Sequence, residues 1–304
     1  MITQSPTPRF WKRSSFQDAA APWMFSLPAI LFLIAFLVTP FLLAVTYSFT
    51  NLRLLSPIPL RFVGLQNYIE TFQDPLFYRA LANTLAFAVV VVPFQTGLAL
   101  FLAILVNQKL LAVKAFRTVY FAPVVTVMAV AATIWRILYV PDGGFINGFL
   151  GAVSGGTLHP QWLQSTSLAL LAIILMSVWQ GVGFQMIVLL AGLQDIPAEL
   201  YEAANIDGAS PWQQFRFVTI PQLRNPLLFV VTITTILAFG VFDQIYVMTQ
   251  GGPLDSTRTL MLMLVDVGYG RQRIGAGSAI AVIFFVMVLA ISLSQRLLIR
   301  EEAQ

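Results

Sequence analysis

Two long apolar stretches of the sequence contain polar side chains that can bind a small solute rich in hydroxyl groups. Amides and carboxylates form hydrogen bonds with hydroxyls, and an aromatic ring can cover the apolar face of a pyranose. Asp243 and Tyr246 are three residues apart, so on a helix they share one face. We predict that seven residues line the path of such a solute: Trp179, Gln180, Gln185, Thr235, Asp243, Gln244 and Tyr246.

The same side chains also suit a structural role inside a membrane. Thr, Gln and Gly commonly mediate the packing of membrane helices, and Trp or Tyr often mark the membrane interface. Asp243 is the exception, because a carboxylate within a span is costly and indicates function by default. For the other six residues, the residue types alone leave path and packing open.

The composition places most of this chain in lipid. Hydrophobic residues make up 58% and charged residues only 10% of the 304 residues, whereas soluble domains carry roughly 25% charged residues. The net charge of +4 comes from basic residues spread along the chain, so no nucleic-acid partner is expected. Since there is no cysteine and only one histidine, we expect no catalytic cluster and no metal site.

Six segments are long and apolar enough to cross a membrane, for which about 20 residues are needed. An even number of spans places both termini on one side, and the loops on that side carry more Lys and Arg, which indicates the cytoplasm. The sequence thus predicts an all-α, six-helix transmembrane bundle across residues 23–298, with cytoplasmic tails at 1–22 and 299–304. The six spans are residues 23–49, 80–106, 118–140, 168–193, 226–248 and 274–298.

The loop between the fourth and fifth predicted spans, residues 194–225, has the sequence of two short helices. Asp195 can accept hydrogen bonds from the amides of the turn that follows it, and Pro197 fits the start of a helix. Ala203 and Ala204 leave room for another surface to approach closely. These residues predict a first helix from 197 to about 206.

A turn and a second helix follow in the same loop. Gly208 permits a backbone reversal, Ser210 and Gln213 have the spacing of a capping box, and Pro221 is expected to end the helix. A stiff helix pair of this kind either fits a groove of a partner and transmits its movement, or packs against its own bundle. The residue types leave both interpretations open.

The spacing of residues in this loop resembles the EAA motif of ABC importer permeases. The family pattern is Glu-Ala-Ala, three residues, Gly, nine residues, Ile, one residue, Leu, Pro. The matching residues are Glu202, Ala203, Ala204, Gly208, Val218, Ile220 and Pro221, of which Val218 and Ile220 are conservative departures. The segments 206–210, 62–68 and 249–253 are similar to the carbohydrate branch of this family.

The resemblance implies a type I ABC importer permease that works with separate ATPase subunits. The complex would contain a second homologous permease, two ATP-binding cassette subunits and an extracytoplasmic solute-binding protein, in the bacterial cytoplasmic (inner) membrane. ATP and Mg would be bound by the ATPase subunits and no cofactor by this chain. The implied solute is a sugar, a polyol or a related compound. The residues implied to dock on the ATPase are Tyr201, Glu202, Ala203, Ala204, Asp207, Gly208, Ala209 and Pro221.

Three other classes of protein compete with this interpretation. An ion-coupled secondary transporter usually carries several buried ionisable groups, whereas Asp243 stands nearly alone. A membrane-embedded enzyme is disfavoured because no residues resemble a catalytic cluster, and there is no Gly-Lys-Ser or Gly-Lys-Thr phosphate loop with which to hydrolyse ATP. A helix-turn-helix regulator is disfavoured because residues 195–224 hold four acids and two bases, a balance that duplex DNA repels.

Overall fold

The computed structural model describes residues 15–55, 59–108 and 113–301, which form fifteen α-helices. Short π-helical turns at Ile34–Val38, Phe215–Thr219 and Asp266–Gly270 continue α1, α10 and α14. Most of the predicted amino-terminal tail and the last three residues lie outside the described residues. The helices are Ser15–Leu33 (α1), Thr39–Ser48 (α2), Gln66–Gln73 (α3), Pro75–Asn107 (α4), Val113–Val125 (α5), Met128–Leu138 (α6), Phe145–Ser154 (α7), Ala169–Gln194 (α8), Ala198–Ile206 (α9), Pro211–Gln214 (α10), Ile220–Gln222 (α11), Arg224–Phe239 (α12), Asp243–Met248 (α13), Leu260–Val265 (α14) and Ile274–Glu301 (α15).

Spanning helices make up most of the described chain. By length and composition, four continuous helices could each span a membrane. Two bent helix pairs raise the number of candidate spans to six if each pair counts as one span. The all-α transmembrane class predicted from the sequence is therefore confirmed. The four continuous candidates are Phe25–Ser48, Pro75–Asn107, Ala169–Gln194 and Ile274–Leu297, and the bent pairs are Thr118–Val125 with Met128–Leu138 and Pro211–Gln222 with Arg224–Phe239.

The third span is not the single helix across 118–140 that the sequence predicts. The chain bends by 108° between Thr118–Val125 of α5 and Met128–Leu138, which is α6. Pro123 lacks an amide hydrogen and so weakens the last turn of α5, and Val127 leaves the helical conformation with φ −57° and ψ 131°. The continuous apolar sequence conceals this bend because hydropathy carries no information on backbone direction.

The prediction of a single helix across 226–248 is also wrong, because α12 and α13 are separate helices. Gly240 ends α12. The hydroxyl of Thr259 donates to the carbonyl of Val241 at 3.1 Å, which satisfies a backbone group within the break. Asp243 therefore begins a short helix instead of lying inside a continuous one.

The bundle is built around α8, which packs against α4, α5 and α12. Met176, Met186 and Leu189 of α8 are fully buried. Gly183 lets α5 approach closely, because a side chain there would collide with the backbone of Tyr120. The most apolar part of Phe25–Ser48 buries no residues, so that surface is available to lipid or to a partner chain.

A polar cluster holds the segment between α2 and α4 against the start of α15. The side chain of Asn67 donates to the carbonyls of Ser48 and Thr50 at 2.8 and 2.9 Å. Arg273 forms an ion pair with Glu70 at 2.5 Å, and its guanidinium lowers the pKa of the Glu70 carboxyl. These contacts fix the position of the amino-terminal end of α15.

Candidate functional site

A cavity of 420 Å³ lies where the break between α12 and α13 faces α4 and α8. A side chain at Gly181 would collide with the amide of Gln95, so glycine allows these two lining residues to approach. A mainly apolar wall with a few hydrogen-bonding groups is the usual form of a small-molecule site. The polar lining consists of Gln95, Ser177, Gln180, Thr234, Asp243 and Gln244.

Three of the seven predicted path residues meet in this central cavity: Gln180, Asp243 and Gln244. The amide of Gln244 donates to the hydroxyl of Ser177 at 3.2 Å, and that hydroxyl donates to the carbonyl of Ile173 at 2.7 Å. Asp243 is exposed, and it belongs to none of the ion pairs found among the described residues. The cavity thus combines neutral amide and hydroxyl groups with one carboxylate.

Two other predicted path residues are used in contacts between helices. Gln185 of α8 is buried, and its amide donates to the hydroxyl of Thr234 in α12 at 2.6 Å. Thr235, the next residue of α12, accepts a hydrogen bond from Gln295 of α15 at 2.9 Å. Both residues lie outside the lining of the central cavity, and their part in a solute path stays a prediction.

The two predicted aromatic path residues also lie outside the central cavity. Trp179 lines a second, largely apolar cavity of 520 Å³, where its ring centroid is 5.5 Å from that of Trp135. Tyr246 is exposed and stacks on Phe242 with centroids 5.4 Å apart. The structure therefore gives both aromatic residues partners of their own, and their contact with a solute stays a prediction.

The sequence prediction omitted three polar lining residues, Gln95, Ser177 and Thr234. Each lies within a predicted span, so the same signal that selected Gln180 was present. The sequence does not show that these three side chains face one cavity. They come from spans that are far apart in the sequence and meet only where α4, α8 and α12 pack together.

The loop between α8 and α12 folds as two short helices. Gly208 reverses the chain after α9 with φ of 75°. The predicted capping box at the start of α10 is confirmed: the amide of Gln213 donates to the hydroxyl of Ser210 at 3.4 Å, and the side chain of Gln213 accepts from the amide of Ser210 at 2.7 Å.

Two details of the predicted loop are wrong. Asp195 ends α8, and α9 is capped by Pro197 without a side-chain hydrogen bond. Pro221 does not end the second helix, because the helical chain continues through α11 and the break follows at Leu223. Pro221 lies just after the π-helical turn Phe215–Thr219, an irregular stretch of helix of the kind that accompanies proline.

The two halves of the loop are joined by side-chain hydrogen bonds. The hydroxyl groups of Tyr201 and Thr219 are 2.9 Å apart. The amide of Gln214 donates to the side chain of Asn205 at 2.7 Å and to the carbonyl of Ala209 at 3.0 Å. These bonds hold α9 and the second helix as one unit.

Much of this helix pair is exposed. None of the residues of α9 is buried, and three large apolar side chains of the loop are mostly exposed: Ile206 (87%), Trp212 (66%) and Phe217 (68%). Among the predicted docking residues, Glu202, Ala203, Asp207, Gly208 and Pro221 are exposed, and Tyr201, Ala204 and Ala209 are half-buried. Their docking role stays a prediction.

The arrangement of these helices is that of ABC importer permeases of type I. It matches a chain of a bacterial ABC transporter involved in the import of the acidic polysaccharide alginate, over 95% of this chain and 99% of that chain, with a TM-score of 0.80 and 22% sequence identity. The likeness establishes the fold.

Sequence relatives identify the family. The chain is 38% identical over 246 residues to the probable ABC transporter permease protein YurN of Bacillus subtilis, which covers 80% of this chain and 84% of the relative. It is 36% identical over 248 residues to the lactose transport system permease protein LacF of Rhizobium radiobacter, covering 79% and 80%. The model of the binding-protein-dependent transport system inner membrane component family matches residues 75–302. The chain belongs to this family and is a permease subunit of an ABC importer, which decides against a secondary transporter.

Proposed function

We propose that this permease carries a sugar, a polyol or a related solute that an extracytoplasmic binding protein delivers. It forms the translocation path with a second homologous permease in the bacterial inner membrane, and both of its termini lie in the cytoplasm. Two ATP-binding cassette subunits bind ATP and Mg and dock on the loop 194–225. The chain itself carries no phosphate loop, so the partner subunits supply the energy.

The observation that carries this proposal is the geometry of the loop. A helix pair that is bonded to itself and exposed on its surface is suited to enter a groove of another protein. The contacts of Tyr201 with Thr219 and of Gln214 with Asn205 support rigidity. The exposure of Glu202 and Gly208 leaves the motif residues accessible to an ATPase.

The loop is also connected directly to a wall of the central cavity. α12 begins two residues after α11 ends, and the chain bends by 68° between the stretches Pro211–Gln222 and Arg224–Phe239. Three residues of α12 line the cavity: Thr234, Leu237 and Ala238. A force on the loop therefore displaces a cavity wall through a single rigid helix, which couples ATPase closure to solute access.

The cavity chemistry supports a hydroxyl-rich solute. Gln95, Gln180 and Gln244 supply amide donors and acceptors, and the apolar wall suits the carbon skeleton of a sugar. A relative that transports lactose agrees with this class.

Substitutions at Gly208 test the docking role. A side chain here would meet no atom of this chain, but the positive φ strains a β-branched residue, whereas Asn tolerates it. We expect Gly208→Val to abolish co-purification of the ATPase from membranes, and Gly208→Trp to do the same by filling the docking groove, while the permease still inserts.

Gly155 provides the matched control, because it also has a positive φ (64°) and open space around it but lies in the segment after α7. We expect Gly155→Val to leave ATPase co-purification at the wild-type level. Retained co-purification and solute-stimulated ATP hydrolysis in both Gly208→Val and Gly208→Trp would contradict the docking role. Transport is measured with a panel of sugars and polyols delivered by the cognate binding protein to the reconstituted complex.

A further inference from the structure

We propose that Asp243 makes the central cavity selective against anionic solutes, so that the permease carries neutral sugars or polyols and excludes uronates and sugar phosphates. This inference rests on the proposed function and narrows its substrate class.

The charge of the cavity lining carries the inference. Of the described residues that line the central cavity, Asp243 alone has an ionisable side chain, and the remaining polar groups are neutral amides and hydroxyls. The lining offers an anion no compensating Lys, Arg or His. A carboxylate or phosphate that entered this mainly apolar space would be desolvated next to a like charge, which costs free energy.

Asp243 has no neutralising contact in the described part of the chain. The ion pairs found there involve Arg258, Arg271 and Arg273 instead. Arg136 approaches α13 at the other end of that helix, where it donates to the carbonyl of Val247 at 3.4 Å and lines a separate cavity. The negative charge of Asp243 is therefore presented to the solute space.

The break between α12 and α13 places this charge. Because the helix ends at Gly240 and starts again at Asp243, the carboxylate stands at the cavity while the neighbouring Gln244 is buried and bonded to Ser177. Gln180 and Gln95 remain to bind hydroxyls, for which amides serve equally well as donors and acceptors. The hydroxyls of a neutral solute can donate to the carboxylate of Asp243 and exchange hydrogen bonds with these two amides, whereas an anion is repelled by the carboxylate.

The absence of cysteine from the sequence allows the charge of the cavity to be measured directly. Leu237 lines the cavity and is 65% exposed, so Leu237→Cys places a single thiol there. Thiosulfonate reagents of similar size and opposite charge are then applied to membranes that contain the complete complex. The rate of modification of this chain is followed by intact mass, which separates it from cysteines of the partner subunits.

When Asp243→Asn is added to Leu237→Cys, we expect the cationic rate to fall and the anionic rate to rise, each about tenfold, so that their ratio falls about a hundredfold. Two unit charges about 10 Å apart at an effective dielectric constant near 20 interact by an energy that changes each rate by this order. Thr157→Cys, in an exposed segment after α7, is the control, and its ratio should not change. Met261→Cys, which also lines the cavity, replaces Leu237→Cys if the latter disturbs assembly.

An unchanged ratio at the cavity thiol would overturn the proposal. This is also the result expected if a cation of the second permease neutralises Asp243, in which case the cavity is not selective against anions. An equal change at Thr157→Cys would also overturn it, because the effect would then be general. Uptake of a neutral sugar and of its uronic acid, each loaded on the binding protein, provides the functional readout. Asp243→Asn should raise acid uptake relative to neutral uptake, whereas Asp142→Asn, outside the cavity, should not. If the wild-type complex moves no sugar at all, the proposed function fails while the thiol measurement still reports the cavity charge.

Discussion

The bond between Gln185 and Thr234 ties the central helix to the helix that carries the loop. Both side chains are buried, and the carbonyl oxygen of Gln185 has no hydrogen-bond partner. Thr234 also donates to the carbonyl of Val230 at 2.7 Å, so its proton is used there and the hydroxyl serves as the acceptor for Gln185. Of the two polar atoms of the Gln185 side chain, only the nitrogen is therefore hydrogen-bonded, and its bond to Thr234 specifies how α8 and α12 are packed.

We predict that Thr234→Val lowers the stability of the complex, because it leaves the amide of Gln185 without its partner. The expected cost is about 1 kcal/mol, measured as a lower thermal midpoint in detergent. Thr133→Val is the matched control, since the hydroxyl of Thr133 bonds only within its own helix. Adding Gln185→Leu to Thr234→Val should restore part of the loss, and a double variant that is worse than both single variants would contradict this account.

At the scale of elements, local signals predicted the loop between α8 and α12 but not the breaks in the spans. Gly208, Ser210 and Gln213 determine their own backbone through conformational freedom and capping, which operate within a few residues. The break after Gly240 instead depends on Thr259, which is distant in the sequence. A continuous apolar run is compatible with either a straight or a broken helix, so hydropathy could not distinguish them.

The sequence could also predict only part of the candidate site. Asp243, Gln180 and Gln244 could be found because each is polar within an apolar run. Their selection from the other polar residues required the bundle, since Gln185 and Thr235 carry the same signal and make contacts between helices. In a soluble protein a polar side chain usually faces the solvent, but within a membrane it faces the protein interior whether it lines a cavity or packs between helices. A single sequence therefore cannot distinguish a lining amide from a packing amide.

The capping box is expected to control the stiffness of the loop. Ser210→Ala removes the acceptor for the amide of Gln213 and should destabilise the start of α10 by about 1 kcal/mol. The amides of Gln213 and Gln214, which bond to the side chain and the carbonyl of Ser210, should then exchange with solvent roughly fivefold faster, as followed by mass spectrometry. Ser210→Asp retains an acceptor and should exchange at the wild-type rate; equal exchange in all three proteins would show that the cap does not limit opening.

For the whole molecule, the junction between the loop and the bundle determines whether movement is transmitted. The end of α8 and the start of α12 meet at Gly192, where an added Cβ would lie 2.7 Å from the ring of Pro226 and 3.0 Å from Leu223. A proline ring cannot rotate away, so a side chain here must displace α12 itself. The same helix supplies Thr234 and Leu237 to the cavity, which links a local clash to the distant solute site.

We predict that Gly192→Ala separates ATP hydrolysis from transport. The strain of overpacking, about 1–3 kcal/mol, falls on the contact between the loop and the bundle, so the complex should assemble and hydrolyse ATP while solute moved per ATP declines severalfold in proteoliposomes. Gly97→Ala is the matched control, because Gly97 lies in a spanning helix with open space around it, and it should transport normally. If Gly192→Ala moved as much solute per ATP as Gly97→Ala, the force would have to reach the cavity by another route than the start of α12.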